Sequence, residues 1–337
     1  MPGSVRVSCV VLVVGCGAVR PGTPLPRRGD EIVVCGKLVH TGAPVVLWMD
    51  SGGYDAYRVM RRFEPGLMLP SSADARTATP NRYDDRPLDA LSPEEQARVR
   101  ERGWDLPELQ RTVDQFVLHY DVCGTSRECF RILHDVRGLS VHFLLDLDGT
   151  IYQTLDLKER ARHATIANDR SVGVEIAQIG AYPNMDVLSK WYRRDETGRV
   201  RVVLPERLGD GHQRTAGFVA RPARDDVVRG EIQGEPLLQY DFTPEQYESL
   251  VRLTATLCRV FPKMTPDVPR DATGTVLQRA LSPAEFAASC GILGHFHVTS
   301  AKTDPGPAFD WERFITKIRQ ALAPPPAGRI ARGGPAQ

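Results

Sequence analysis

Near the C-terminus of the chain, Gly294-His295-Phe296-His297 is followed by Lys302-Thr303-Asp304-Pro305-Gly306-Pro307. An imidazole at 295 thus stands nine residues before the carboxylate of Asp304, with a lysine two residues before that carboxylate. Far upstream, His119 closes the β-type run Phe116-Val117-Leu118-His119-Tyr120. Two imidazoles and one acid suffice to hold a zinc ion with its fourth position open to water. Zinc lowers the pKa of bound water from about 15.7 to about 7 and polarises a carbonyl, so the chemistry on offer is hydrolysis of an amide. His297 shares a face with His295 if the run continues as a strand, which makes it an alternative ligand.

Amide hydrolysis also needs a group that takes a proton from water and passes one to the leaving nitrogen. Glu175, inside the apolar run Ser171-Val-Gly-Val-Glu-Ile-Ala-Gln178, is the candidate. A carboxylate there is costly without a charged partner, and a pairing with Arg162 or Arg170 is the plainer reading. Lys302 is the candidate for stabilising an oxyanion. His163 and Asn168, in the loop leading to Glu175, are candidate substrate contacts or loop-ordering groups. His134 and His142 read as structural, and His40 and His212 have no constellation around them.

These side chains must be positioned by regular elements. Glu31–Cys35 and Val45–Met49 read as strands separated by a turn at Thr41-Gly42, and the polar stretch Pro70–Leu91 reads as a loop. Ser92-Pro93-Glu94-Glu95 is a capping box with proline at the first helical position, opening a helix to about Arg102. Strand 116–121 precedes a helix over Ser126–Val136. Val141–Leu147 and Thr150–Leu155 are joined at Asp148-Gly149, a hairpin signal. Asp146 and Asp148 lack the further positions of a calcium loop. Thr243 and Ser282 cap two more helices, Ile292–Val298 reads as a strand, and Asp310–Leu322 as a final helix. The result is an α/β domain with a central mixed β-sheet flanked by helices, plus an N-terminal strand-containing extension.

Composition sets the outer bounds. The 337 residues are 42% hydrophobic and 25% charged with a formal net charge of +1, and no basic block offers a nucleic-acid surface. The apolar run Val7–Gly15 behind Arg6 is too short to span a bilayer and has the shape of a signal peptide. Its end, Val13-Val14-Gly15-Cys16, resembles a bacterial lipobox, which makes Cys16 the expected lipidation site; a buried strand is the alternative. Expected segments are a leader at 1–16, a tether at 17–30, the extension at 31–110, the main domain at 111–322 with an insertion at 181–240, and a disordered tail at 323–337. Cys123 and Cys129 bracket five residues. In an oxidising compartment a bridge between them removes loop entropy worth roughly 2–2.5 kcal/mol, and two unrelated buried thiols are the alternative.

The chain resembles the zinc N-acetylmuramoyl-L-alanine amidases, the superfamily that includes peptidoglycan recognition proteins and bacterial anhydromuramyl-peptide amidases. The matching pieces are Phe116-Val-Leu-His-Tyr120, Ser140-Val-His-Phe-Leu-Leu-Asp-Leu-Asp-Gly149, Arg162-His-Ala164, Asn168-Asp-Arg-Ser-Val-Gly-Val-Glu175, and Gly294-His295 through Lys302 to Trp311. The resemblance implies one Zn2+ on His119, His295 and Asp304, with Glu175 and Lys302 catalytic. Relatives with a different acid-base carry a tyrosine where this chain has Val141. It also implies a peptidoglycan or muropeptide substrate, cut between N-acetylmuramic acid and L-alanine; together with the lipobox at Cys16, the expected place is the cell envelope, with a lipid holding the protein to the membrane. The Cys123/Cys129 spacing is similar to a disulfide of the animal recognition proteins. A non-catalytic recognition protein and a zinc peptidase acting within the stem peptide are the competing expectations.

Overall fold

The computed structural model describes residues 21–63 and 82–324. The N-terminal part forms a hairpin of β1 (Glu31–Val34) and β2 (Lys37–His40), then β3 (Val45–Leu47) and the short β4 (Tyr83–Asp84). Helices α1 (Pro93–Arg102) and α2 (Leu106–Thr112) lead into β5 (Gln115–Tyr120), and α3 (Ser126–Phe130) continues in π-helical turns to Arg137. Next come β6 (Phe143–Leu145), β7 (Ile151–Gln153), β8 (Arg160–Ala161) and β9 (Ser171–Ile176). The expected insertion contains α4 (Leu188–Trp191) and two hairpins, β10 (Tyr192–Arg194) with β11 (Val200–Val202) and β12 (Val228–Ile232) with β13 (Glu235–Gln239). The chain then passes through α5 (Pro244–Val260), α6 (Pro283–Ala288), β14 (Gly291–Gly294), the helical turn α7 (His295–Val298) and α8 (Trp311–Leu322).

Helix starts follow local chemistry. At α1, α5 and α6 the residues Ser92, Thr243 and Ser282 accept from the backbone three residues on, while Glu95, Gln246 and Glu285 reach back to the cap. Each box satisfies N–H groups that a helix start otherwise leaves without partners.

Six strands form the central sheet in the order β14-β5-β9-β6-β7-β3. Strands β14, β5, β9 and β6 run parallel; β7 returns antiparallel to β6, and β3 lies parallel to β7 at the edge. Register sets what can meet. His119 stands opposite Glu175, and Gly294 opposite Leu118, so His295 follows one step beyond the end of β14 beside His119. Residues in register on neighbouring strands point to the same face, so His119 and Glu175 share one.

The opposite face of the sheet is apolar. Phe116, Leu118, Val172 and Val174 pack with Leu250, Leu253 and Leu257 of α5 and Phe314, Ile315 and Ile318 of α8. Each such buried side chain stabilises the fold by roughly 1.5–3 kcal/mol. On the face of His119 and Glu175, cover comes in two smaller patches. Leu144 packs with Phe130 and Leu133, and Val117 and Leu293 pack with Ala164 and Ala167.

The structure departs from the sequence expectations in three places. The N-terminal segment contains an extra strand, β2, because Lys37–His40 pairs with β1 around a turn in which Cys35 and Gly36 take φ of 49° and 73°. That segment also supplies the sheet itself, since β3 is its edge strand. The run 292–298 is not a continuous strand. It stops at Gly294, where a Cβ would lie 2.8 Å from both the Phe296 ring and Pro305, and turns helical at His295. The expected leader with Cys16 lies outside the described residues, as do residues 325–337 of the expected tail. Among the described residues, no helix is long and apolar enough to cross a membrane.

Candidate active site

Three elements deliver three donor atoms to one point at the C-terminal ends of parallel strands, the usual place for a site in sheets of this kind. His119 ends β5, His295 opens α7, and Asp304 lies in the loop that follows. His119 Nδ1 is 2.9 Å from His295 Nδ1 and 3.0 Å from Asp304 Oδ2, and His295 Nδ1 is 2.9 Å from the same oxygen. All three residues are buried. The loop is fixed on both sides of the acid, since Phe296 N–H donates to the Asp304 carbonyl at 3.1 Å and Tyr120 Oη meets Thr303 Oγ1 at 2.6 Å.

Two imidazole nitrogens at 2.9 Å cannot both present lone pairs to each other without a proton or cation between them. Burial, and then His295, push the His119 imidazole down to about 4, so a second ring proton is disfavoured. Burial acts to raise the Asp304 carboxyl, but hydrogen bonds with His119 and His295 outweigh it and hold that group below the usual carboxylate range. Two imidazoles facing a carboxylate are the donor chemistry of a metal ion, and these three residues form one of two groups of metal-ligating type among the described residues. The other, Asp30 with Glu31 and His40, lies at the surface, and its Glu31 carboxylate already accepts from the backbone of Arg28, Gly29 and Asp30.

Glu175 and Lys302 line the same cavity as the three donors, a space of about 260 Å³. Burial, followed by the charges of Asp304 and Asp121, raises the Glu175 carboxyl well above its ordinary range, while Lys302 and Arg137 pull the other way. The plainer reading, an ion-paired Glu175, fails on geometry: Arg162 is engaged by Asp84 at 2.7 Å and Arg170 by Asp114 at 2.5 Å. A larger space of about 690 Å³ adjoins through Arg137, Arg162, His163, His295 and Lys302, and Asp84 and Arg160 form part of its wall.

Other expected residues take different places. His297 is not an alternative donor: its Nδ1 accepts from Gly294 N–H at 2.9 Å and its Nε2 faces the Leu277 carbonyl at 2.8 Å, so both nitrogens are used. Asn168 Oδ1 accepts from the backbone of His163 and Ala164 at 3.1 and 2.7 Å, which makes it a brace of the loop. His163 lines both spaces, but its Nδ1 is 3.1 Å from His119 Nε2. His142 is buried, accepting from Gly173 N–H and facing the Glu159 carbonyl. The bridge expected between Cys123 and Cys129 is not made; both are free. Burial, and then a hydrogen bond with Cys123, keep Cys129 protonated, and the thiol is the unreactive form.

Sequence reasoning missed Arg137, Tyr120 and Asp84. Tyr120 was visible as the neighbour of His119, but its partner Thr303 is distant in the chain. Nothing local marks Arg137 or Asp84.

Two imidazoles and a carboxylate that could hold a metal ion, with a second carboxylate and a lysine lining the same cavity, form a site suited to hydrolysis. The chain belongs to the N-acetylmuramoyl-L-alanine amidase family (Amidase_2), whose pattern matches residues 109–307. It is 28% identical over 110 residues to the 1,6-anhydro-N-acetylmuramyl-L-alanine amidase AmpD of Haemophilus influenzae, covering 32% of this chain and 46% of that protein. It is 29% identical over 124 residues to the same amidase of Salmonella typhimurium, covering 36% and 51%. The chain thus spans about half the length of the curated relatives it matches. Among solved structures it is similar to a selenomethionine derivative of AmpD, with 18% identity, 70% of this chain and 89% of that one covered, and a TM-score of 0.32. It is also similar to E. coli AmiD in complex with anhydro-N-acetylmuramic acid-L-Ala-D-gamma-Glu-L-Lys, with 16% identity, 61% and 57% covered, and a TM-score of 0.34.

Proposed function

We propose that the protein is a zinc-dependent N-acetylmuramoyl-L-alanine amidase, cutting the amide between N-acetylmuramic acid and L-alanine in peptidoglycan or its fragments. The observation that carries this reading is the convergence of His119 Nδ1, His295 Nδ1 and Asp304 Oδ2 in the cavity that also holds Glu175. His119, His295 and Asp304 would hold the ion. When bound, zinc supplies a Lewis acid for the carbonyl and an acidified water.

The chain's own groups do the rest. Glu175 takes a proton from the attacking water and returns one to the departing nitrogen, a role suited to a carboxyl that burial raises well above its ordinary range. Lys302, which lines the same cavity, brings its ammonium to the negative charge that grows on the carbonyl oxygen. The Arg137 guanidinium gives the adjoining space a cationic group suited to a peptide that carries carboxylates.

Mass spectrometry of muropeptides incubated with the zinc-loaded protein tests the reading: free stem peptide is expected, about one zinc per chain. Products cut inside the peptide mark a peptidase instead, and tight binding without any product marks a recognition protein. The same reading puts the protein in the cell envelope, held to the membrane by lipid on Cys16. Cys16→Ala should release it from the membrane fraction.

A further inference from the structure

Beyond the three donors, the site contains the imidazole of His163, whose ring nitrogens face another imidazole and a hydroxyl. His119 turns Nδ1 to the donor cluster, so its ring proton belongs on Nε2, and that nitrogen needs an acceptor. His163 Nδ1 lies 3.1 Å away. If Nδ1 of His163 accepts, its own proton sits on Nε2, which faces Ser171 Oγ at 3.3 Å. One assignment satisfies every atom: His119 donates to His163, and His163 donates to Ser171.

The His163 ring is held in place by several neighbours. A Cβ at residue 173 would fall 2.5 Å from two atoms of that ring, so Gly173 leaves the space the ring fills. His163 meets His119 and His142 edge to face, with centroids 5.3 and 5.8 Å apart. Its backbone is pinned by Asn168 Oδ1. The loop behind it is pinned by Arg86, fully buried, which donates to the carbonyls of Leu157, Asp169 and Ser171 at 3.0–3.1 Å.

We propose that His163 is a positioning residue for the metal centre: it fixes the tautomer and ring angle of His119 through Nδ1, with Ser171 fixing His163 in turn. This rests on the zinc reading above. Partners of this kind, mostly carboxylates or carbonyls, orient metal-bound imidazoles and raise their basicity. Here the partner is a second imidazole at the edge of the cleft. This role is in addition to the sequence expectation for His163, contact with substrate or ordering of the loop.

Zinc affinity, measured by competition with a chromogenic chelator and no substrate present, tests this. His163→Phe should weaken zinc binding by about 10–100-fold, the range for lost outer partners. His163→Gln keeps an acceptor oxygen and should recover most of that loss, and Ser171→Ala should show a smaller loss in the same direction. Imidazole ¹⁵N spectra of the zinc-loaded unaltered protein give a second readout that needs no variant: His119 protonated at Nε2, and His163 unprotonated at Nδ1. A proton on His163 Nδ1 overturns the proposal, as does unchanged zinc affinity in His163→Phe accompanied by a raised KM. Failure of the unaltered chain to take up zinc at all overturns the zinc reading instead, so the two failures are distinct.

Discussion

Leu118 and His119 are neighbours in the chain, and they serve opposite faces of one sheet. Leu118 enters a continuous apolar layer backed by α5 and α8. His119 enters a face where buried imidazoles and carboxylates crowd together and the apolar cover is split into patches. Burial stabilises on the first face and is a net cost on the second, where it drives Glu175 towards its neutral form and His119 towards its unprotonated one. The comparison teaches that the site is affordable because its strands are anchored from behind. The period of two along a strand makes that separation automatic.

Substitutions on the two faces should therefore separate activity from stability. Glu175→Gln should lower turnover by about 10²–10⁴, the usual contribution of a positioned acid-base group, while zinc binding persists; a variant with full turnover removes Glu175 from the mechanism. Leu118→Ala should do the reverse, losing about 2–5 kcal/mol of stability by denaturant titration while the folded fraction still binds zinc. If Leu118→Ala instead abolished zinc binding in folded protein, the two faces would not be separable. Lys302→Met should lower kcat by about 10²–10³ with stability unchanged, in the range for one lost oxyanion donor. The smallest effect is expected of Thr303→Val, which removes the hydrogen bond to Tyr120 and should cost about 1 kcal/mol, read as a small shift in the unfolding midpoint.

The pH dependence sharpens the comparison further. Glu175 is raised in the folded metal-free protein, so the unfolded chain loses its proton first as pH rises. The destabilisation is absent below the ordinary carboxylate range, grows as pH climbs through it, and stops growing above the folded value. Metal-free Glu175→Gln should match the unaltered protein in acid and exceed it in stability near neutral pH. Equal stability at both ends of that window would mean that the carboxyl is not destabilised by burial.

What the sequence revealed follows a physical line. Capping boxes at Ser92, Thr243 and Ser282 and the turn at Asp148-Gly149 were legible because each is settled within a few residues. The three donors were legible because metal chemistry restricts residue type. Partnerships across the chain were not: nothing near Val45 announces that β3 pairs with β7, and nothing near Asp84 announces Arg162. The end of β14 escaped for a subtler reason. Ile292–Val298 has strand-forming composition, but Gly294 closes against Phe296 and Pro305, and that packing forces the turn that separates His295 from His297.

The position of β3 has a consequence for where this protein can be cut. The stretch that carries the family pattern begins at 109, yet the edge of its sheet is built from Val45–Leu47, and Gln153 of β7 exchanges two hydrogen bonds with Val33. A chain started at residue 109 would leave β7 as an open edge with unpaired amides and carbonyls, a surface on which copies of the chain stick to one another. The sheet is therefore built from more of the chain than the family pattern marks out, and its packing reaches back to the hairpin that begins at Glu31.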